Sequence, residues 1–576
     1  MSKKEIGSYL LVDIAHNDTK AILIHDQKIT GVTKTPTTVA EPDLDVTKGV
    51  SQAIRQLEQM KGVSLLKGDV VDSNVKLLCS SNTSGGLHMI ITGVIGNISG
   101  ESAQRAALGA GALLIDTFSK NDARPEYKKI MSMRTMKPDI LLMSGGTDGG
   151  ATEQVFEMAE IIKKSDIKPR FGQEYNLPLI YAGNVSIQEQ VDDILGENGY
   201  ALKMVENVRP LINQENLGPA KESIYDAYME HVIIHSPGYQ KLAKWTDERI
   251  VPSQAMVGKV LYEYAQRNGV NLLAADIGGD TTDIYSVYDG IFNRSLNAGI
   301  GLTYGICNIV KEAGIDKVLR WLPAIMEERS VRNTIGNMMI KPQQGLSSEE
   351  KQIQAAVARE AIRLGVENHK VIASRLKGVL ISRTLSDMFE QALEPTLINM
   401  LKTPVVLGKG DAFRSQTVED SMMILMDSLQ PEGISELYLD PENMAAPLGN
   451  LVDHNKKTAL DLFMSDGLRF IGTCIAPKGA LKDGQTALRL EFTDPIGEKA
   501  VHSFSSGELS VIPTREAVDI SLTPFKSDLG AGRGKTVKQR VRAGMLGLIV
   551  DTRGRPMTKY RQPVKILPFE DLGRND

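Results

Sequence analysis

The spacing of apolar and polar residues divides the chain into strands and helices before any residue is given a role. Residues 10–27, LLVDIAHNDTKAILIHDQ, run apolar, polar, then apolar again, and residues 273–290, LAADIGGDTTDIYSVYDG, follow the same plan. Each stretch predicts a β-hairpin with a tight loop at its tip. Laid over each other without gaps at one constant offset, they put Asp13 on Asp276, Ile14 on Ile277, Thr19 on Thr282 and Asp26 on Asp289. Two such copies in one chain imply two lobes built alike.

Between and after the copies the period changes. Residues 137–162, KPDILLMSGGTDGGATEQVFEMAEII, predict a strand, a glycine-rich turn and an amphipathic helix, with Thr152 and Glu153 at its cap and first turn. NLPLIYAGN at 176–184 predicts a buried strand, and residues 347–403 a largely helical stretch opened by a serine cap. TPVVLGKGDAF at 403–413 returns to strand and turn. Beyond residue 455, short apolar runs such as FIGTCIAPKGA, TALRLEF and MLGLIVDTRGRPM alternate with Gly, Pro and Asp turns, so a mostly β C-terminal domain is expected. The alternation as a whole predicts an α/β fold, divided at 1–255, 256–455 and 456–576.

Composition narrows the function classes. A chain of 576 residues exceeds one hydrophobic core, and its 42% hydrophobic and 24% charged residues are ordinary for a globular protein. The net charge of −5 leaves no basic excess for binding nucleic acid. Cys79, Cys307 and Cys474 are too scattered for a disulfide framework or a zinc cage, which suggests a reducing, cytoplasmic setting. The apolar run after the N-terminal lysines stops at Asp13, too early for a signal peptide, and no stretch has the ~20 apolar residues of a spanning helix.

The strongest candidate for chemistry is DIGGDTTD at 276–283. Gly278 and Gly279 let backbone N–H groups approach a ligand closely, and such a turn makes a nest for phosphate together with Asp280 and the hydroxyls of Thr281 and Thr282. Asp276 suits Mg²⁺ held through water, and Asp283 could do the same or position a water. A plain hairpin tip explains the same residues if the turn is taken alone. In the first copy, Asp13 could share the metal, while Asn17, Asp18, Thr19 and Lys20 could meet phosphate. Ala15 and His16 stand where the second copy has its glycines. The Gly408-Lys-Gly410 turn, with Asp411, would lie beneath an adenine base. SGGTDGG at 144–150 is either the first-lobe counterpart of that turn or a partner-binding loop.

Other apparent motifs fail on spacing. RGKT at 533–536 lacks the first P-loop glycine, because Leu529 stands there. His231 and His235 lack the intervening glutamate of a metalloprotease helix. The chain has no Gly-x-Ser-x-Gly elbow, no Rossmann fingerprint and no Asp-x-His-x-x-Gly cobalamin signature.

Two acidic strand-turn-strand loops followed by a strand and a Gly-x-Gly turn resemble the actin/hexokinase/Hsp70 ATPases. SSNTSGGLHMIITGVIG at 80–96, AQRAALGAGA at 103–112, MSGGTDGG, YAGN, LAADIGGDTTDIYSV and GLIVDTRGRPM narrow the resemblance to the MutL or GlmL family, the accessory proteins of glutamate mutase, over about residues 8–557. The resemblance implies two actin-like (RNase H-like) lobes around a nucleotide cleft plus the β-rich C-terminal domain. It implies ATP/ADP and Mg²⁺ as ligands, and Asp13, Asp276 and Asp283 as catalytic residues, the first two also holding the metal. Asn17–Lys20, Gly278–Thr282, Gly408, Gly410 and Asp411 would bind nucleotide. It further implies an ATP-dependent reactivating chaperone that frees damaged cobalamin from an adenosylcobalamin-dependent mutase, with self-association left open. Ala15 and the GKGD turn depart from the family pattern, which leaves room for slow hydrolysis or for a different client such as an ornithine or lysine aminomutase. A small-molecule kinase of the same fold and a nucleotide-binding scaffold without turnover are the alternatives.

Overall fold

The computed structural model describes residues 8–568 apart from 69, 73, 83–86, 171–175, 197–198, 341–344, 379–395, 480–481, 483, 494–498, 515, 558 and 561–562. The chain forms two compact units, each assembled from three separate stretches. The first comprises residues 1–261, 375–395 and 445–464, the second 262–374, 396–444 and 465–576.

The first unit opens with the predicted hairpin. Strands β1 (Ser8–Ile14) and β2 (Asp18–His25) pair antiparallel and continue into β3 (Lys28–Pro36). A short hairpin of β4 (Leu66–Lys67) and β5 (Val70–Val71) precedes β6 (Val75–Ser81), which runs parallel to β1. A second sheet is entirely parallel, built from β7 (Leu87–Gly93), β8 (Ala112–Ser119), β9 (Ile140–Met143), β10 (Leu177–Tyr181) and β11 (Tyr200–Met204). Counted along the chain its strands lie in the order 2-1-3-4-5, a doubly wound arrangement. Its apolar residues split between two cores. Met89 and Ile91 join helix Glu101–Gly109, while Ile90 and Leu141 join helix Glu153–Ser165. β12 (Val251–Pro252) completes the first sheet in the order β12-β6-β1-β2-β3.

The second unit repeats the hairpin in β13 (Leu272–Ile277) and β14 (Thr281–Tyr288), extended by β15 (Ile291–Ala298). β16 (Val405–Gly410) and β17 (Gly433–Asp440) add on in parallel, so β15-β14-β13-β16-β17 mirrors β3-β2-β1-β6-β12 in order. The sheet then grows through β18 (Arg469–Ala476). In a separate antiparallel sheet, β19 (Thr486–Thr493), β20 (Lys499–Ser505), β22 (Val518–Pro524) and β23 (Val537–Val541) lie in the order β20-β19-β22-β23. β21 (Leu509–Ile512), β24 (Gly547–Asp551) and β25 (Val564–Ile566) return to the large sheet and make it nine-stranded. From Arg469 onward the described regular elements are all strands, as the pattern predicts.

Of the predicted helical stretch, Ser348–Ile372 forms one long helix with Ile353, Val357 and Ala361 in the core. Ser347 caps it in the expected way. Its Oγ accepts from Glu350 N, and Ser347 N donates to the Glu350 carboxylate. The stretch from 379 to 395 lies outside the described residues. Among the described residues, no helix is long and apolar enough to cross a membrane.

Candidate functional site

The two hairpins agree down to single hydrogen bonds. In the first turn Ala15 N donates to Asp18 O at 2.9 Å, and at the equivalent positions Gly278 N donates to Thr281 O at 3.0 Å. Asp13 stands opposite Lys20 across its hairpin, and Asp276 opposite Asp283. Each aspartate also has one residue level with it on the parallel neighbour: Ser80 for Asp13, and Lys409 for Asp276. The two carboxylates differ in what surrounds them.

Asp276 is bound by an ammonium. Lys409 Nζ donates to its Oδ2 at 2.7 Å, and the two side chains are only 11% and 15% exposed. Gly410 closes over this pair with φ +97°. A Cβ there would stand 2.7 Å from Asp276 Oδ1 and 2.3 Å from Ile277 O, which is why glycine is needed. Gly408 has a different reason: a Cβ there would press into the Phe413 ring at 2.8 Å. Asp411 starts the short helix Asp411–Arg414 after the turn.

Along the turn itself, the Gly278 N–H is used internally, whereas the N–H groups of Gly279 and Asp280 have no partner among the described residues. Two successive N–H groups left open in a tight turn are the donors that an anion nest requires. Thr282 is fully buried and donates its hydroxyl to Ile300 O at 2.7 Å, so that hydroxyl belongs to the fold. Thr281 donates to Asp283 at 3.3 Å. Asp283 is buried and gripped by Arg294, with Nε at 2.8 Å and Nη2 at 2.6 Å. Burial is the largest influence on Arg294 and works against its cation, but the Asp283 charge, Tyr285 and the hydrogen bonds to both together outweigh it and raise the guanidinium further above its ordinary value. Burial raises the Asp283 carboxyl although Arg294 opposes this, and its hydrogen bonds tie it to β15 beneath the turn.

Sequence reasoning also missed the segment 299–305, GIGLTYG. It folds back onto the turn, Leu302 N donating to Gly278 O at 3.0 Å and Thr303 N to Gly279 O at 2.7 Å. A Cβ on Gly301 would lie 2.4 Å from Gly279 O. Three glycines in seven residues after a strand were the available signal. Lys409 was missed as well, although it lies inside the quoted GKGD.

In the first unit, hydroxyls hold the carboxylate. Ser80 and Ser253 each donate to Asp13 Oδ1 at 2.7 Å. Thr19 is buried and its hydroxyl meets that of Thr37 at 3.0 Å. Lys20 is buried, while His16 and Asn17 are exposed at the tip and Asp18 is half-buried. Asn82 follows β6 and donates its N–H to Ile14 O. Its Oδ1 is buried with no partner among the described residues. Of the family stretch around it, residues 83–86 lie outside the described residues.

The SGGTDGG loop belongs to the parallel sheet, at the C-terminal ends of its strands. Asp148 accepts from Asn207 Nδ2 at 2.8 Å and from Val185 N at 3.2 Å, and Asn184 of YAGN accepts from Gly149 N at 3.1 Å. The loop thus clasps the ends of β9, β10 and β11 together. Thr152 stands at the cap position of the following helix without a side-chain capping bond.

A profile of the MutL protein family matches residues 9–466. The chain belongs to this family. One relative, "Protein MutL" of Clostridium tetanomorphum, is 28% identical over 410 residues, covering 66% of this chain and 84% of that protein. Among solved structures, nucleotide-free acetone carboxylase matches with TM-score 0.32 and 12% identity, covering 86% of this chain and 81% of that one. Ligand-bound xylulose kinase from Lactobacillus acidophilus matches with TM-score 0.31 and 11% identity over 81% and 94%. Structural scores this low carry no argument about the site. The site's own donors fit Mg²⁺ of the kind that keeps several waters: Asp276 offers a carboxylate beside N–H groups that suit phosphate, and Mg²⁺ in such sites takes one or two carboxylates plus phosphate oxygens.

Proposed function

We propose that this MutL-family protein binds Mg-ATP at the β13–β14 turn and hydrolyses it to reactivate an adenosylcobalamin-dependent mutase. The observation that carries this reading is the turn itself: two unpartnered N–H groups, at Gly279 and Asp280, beside the Asp276 carboxylate. The N–H groups would hold phosphate oxygens, and Asp276 would hold Mg²⁺ through its waters. When bound, the metal would neutralise charge on the phosphates. Lys409 supplies a second positive group at the same place, and Gly410 with Gly408 shapes the turn for the nucleoside. Asp13, with His16, Asn17 and Asp18 exposed or half-exposed beyond it, is the proposed second phosphate loop. Its match to the β13–β14 hairpin, in register and in the hydrogen bond that closes the turn, supports that assignment. Family membership supports a mutase as the partner, either glutamate mutase or an ornithine or lysine aminomutase.

The test is phosphate release from Mg-ATP by the purified protein, alone and with each of these mutases inactivated by loss of the adenosyl group. Turnover that rises several-fold with one of them, together with recovery of that mutase's activity on adding fresh adenosylcobalamin, is expected. Turnover indifferent to all three would remove the reactivating role and leave a plain nucleotidase.

A further inference from the structure

The two hairpins use the same backbone, but their neighbouring strands treat the carboxylates differently. Asp13 accepts from the neutral hydroxyls of Ser80 and Ser253, while the lysine nearest in register, Lys20, stands opposite it within its own hairpin. Beside Asp276 the chain places a full positive charge, in register on β16 and 2.7 Å away. That ammonium is mostly buried, and its stem is fixed by a strand whose six residues are all buried. A flexible surface lysine would mean little here; one anchored in a central strand is a built-in cation at a defined point. The second buried pair, Asp283 of β14 with Arg294 of β15, has its own direct contact. Lys409 makes its direct contact with Asp276, and its charge is also felt by Asp283.

We propose that Lys409 is a resident counter-ion that holds Asp276 against free divalent cations, so that metal enters this site only together with the phosphates of a nucleotide. The proposal deepens the nucleotide reading and rests on it for the second half of that statement. The physical basis is direct. A dication approaching Asp276 meets the ammonium within a few ångströms, and like charges at that range repel strongly in a partly buried site. A phosphate arriving with the metal offers the ammonium a new anionic partner, so Lys409 can leave the carboxylate without losing its pairing. Binding energy from the nucleotide then opens the metal position. Lys409 is a positioning residue in this scheme, because it acts through the carboxylate it holds.

The experiment is a titration with Mn²⁺ alone, without nucleotide, followed by electron paramagnetic resonance. It compares the full-length protein, Lys409→Met, Lys409→Arg, and the double variant Asp276→Asn with Lys409→Met. Methionine keeps the length of the side chain and removes its charge. Lys409→Met is expected to bind Mn²⁺ at least about tenfold more tightly than wild type. The double variant should return to wild-type affinity, and Lys409→Arg should stay there. Equal Mn²⁺ affinity in wild type and a folded Lys409→Met would overturn the proposal. So would a gain that survives in the double variant, because it would then not arise at Asp276.

A measurement on the wild type alone guards against a variant that does not fold. Adding ADP should raise Mn²⁺ affinity at least about tenfold, and because this coupling is reciprocal ADP should bind weaker by the same factor in EDTA yet remain measurably bound, since Lys409 stands in for the metal. ADP binding abolished in EDTA would also overturn the proposal. Absence of any ADP binding, with or without metal, would instead remove the nucleotide reading, while the nucleotide-free Mn²⁺ comparison would still decide whether Lys409 guards Asp276.

Discussion

At the scale of single residues, the site divides into groups that face a ligand and groups that hold the turn. Asp276 and the N–H groups of Gly279 and Asp280 are the proposed members of the first kind. Thr282, Asp283 and Arg294 belong to the second, all buried and bonded to one another or to backbone. Sequence alone named this turn as the candidate but could not separate the residues buried under it from those left open. A threonine or aspartate in a hairpin reads the same whether its side chain points out or in. Only the register, which sets Thr282 and Asp283 against Asn297 and Leu296 of β15, decides it. Lys409 was invisible for a related reason: its meaning comes from a strand 133 residues away. Gly410 gives a sharp prediction at this scale. In Gly410→Ala, the new methyl would meet Asp276 Oδ1 at 2.7 Å with the backbone at φ +97°. The variant should lose about 1–3 kcal/mol in urea unfolding and weaken ATP binding more than tenfold in calorimetry. An unchanged affinity would mean the turn does not border the nucleotide.

At the scale of elements, hairpins and caps were the most legible parts. The β1–β2 and β13–β14 turns announced themselves by two apolar runs around a polar tip, and the structure pairs them residue by residue as expected. The serine cap at Ser347 was equally local, since the capping box is written within four residues. Ser347→Ala should cost about 1 kcal/mol in thermal or urea unfolding and leave nucleotide binding untouched. No change in stability would mean the first turn of that helix is frayed in solution. Pairings between distant stretches were not legible. The five parallel strands from β7 to β11 were foreseen as alternating strands and helices, but their 2-1-3-4-5 order was not, because order is fixed by packing across the sheet and not by period. The clasp of Asp148, Asn184 and Asn207 followed from that order, so a loop read as either a counterpart of the Gly408–Gly410 turn or a partner-binding loop ties three strand ends together.

At the scale of the whole molecule, the chain leaves and re-enters each compact unit, which a reading along the sequence cannot anticipate. The large sheet of the second unit draws its last strands from the C-terminal region, and a buried ionic network secures them. Asp551 of β24 accepts from Arg553 at 2.8 Å and Arg555 at 2.7 Å, and Arg553 reaches Asp427 of helix Val418–Leu429 at 2.8 Å. Burial alone would raise the Asp551 carboxyl, but Arg555 and Arg553 outweigh it and hold it well below its ordinary 3.8. A carboxyl depressed in the folded state adds stability that is present above about pH 4 and is lost as the pH falls further. Urea unfolding of the second unit should therefore weaken steeply below pH 4 in the wild type. In Asp551→Asn it should start lower and fall less steeply over that range. Parallel acid profiles for the two proteins would mean Asp551 is not ionised in the fold.

The central claim is that the Asp276 turn binds and turns over Mg-ATP, and the most direct measurement is phosphate release by wild type and Asp276→Asn, with folding of both checked by circular dichroism. The account predicts measurable turnover in the wild type and a loss of at least about a hundredfold in the folded variant. Equal turnover in the two proteins would contradict it, and would place any ATP hydrolysis elsewhere in the chain.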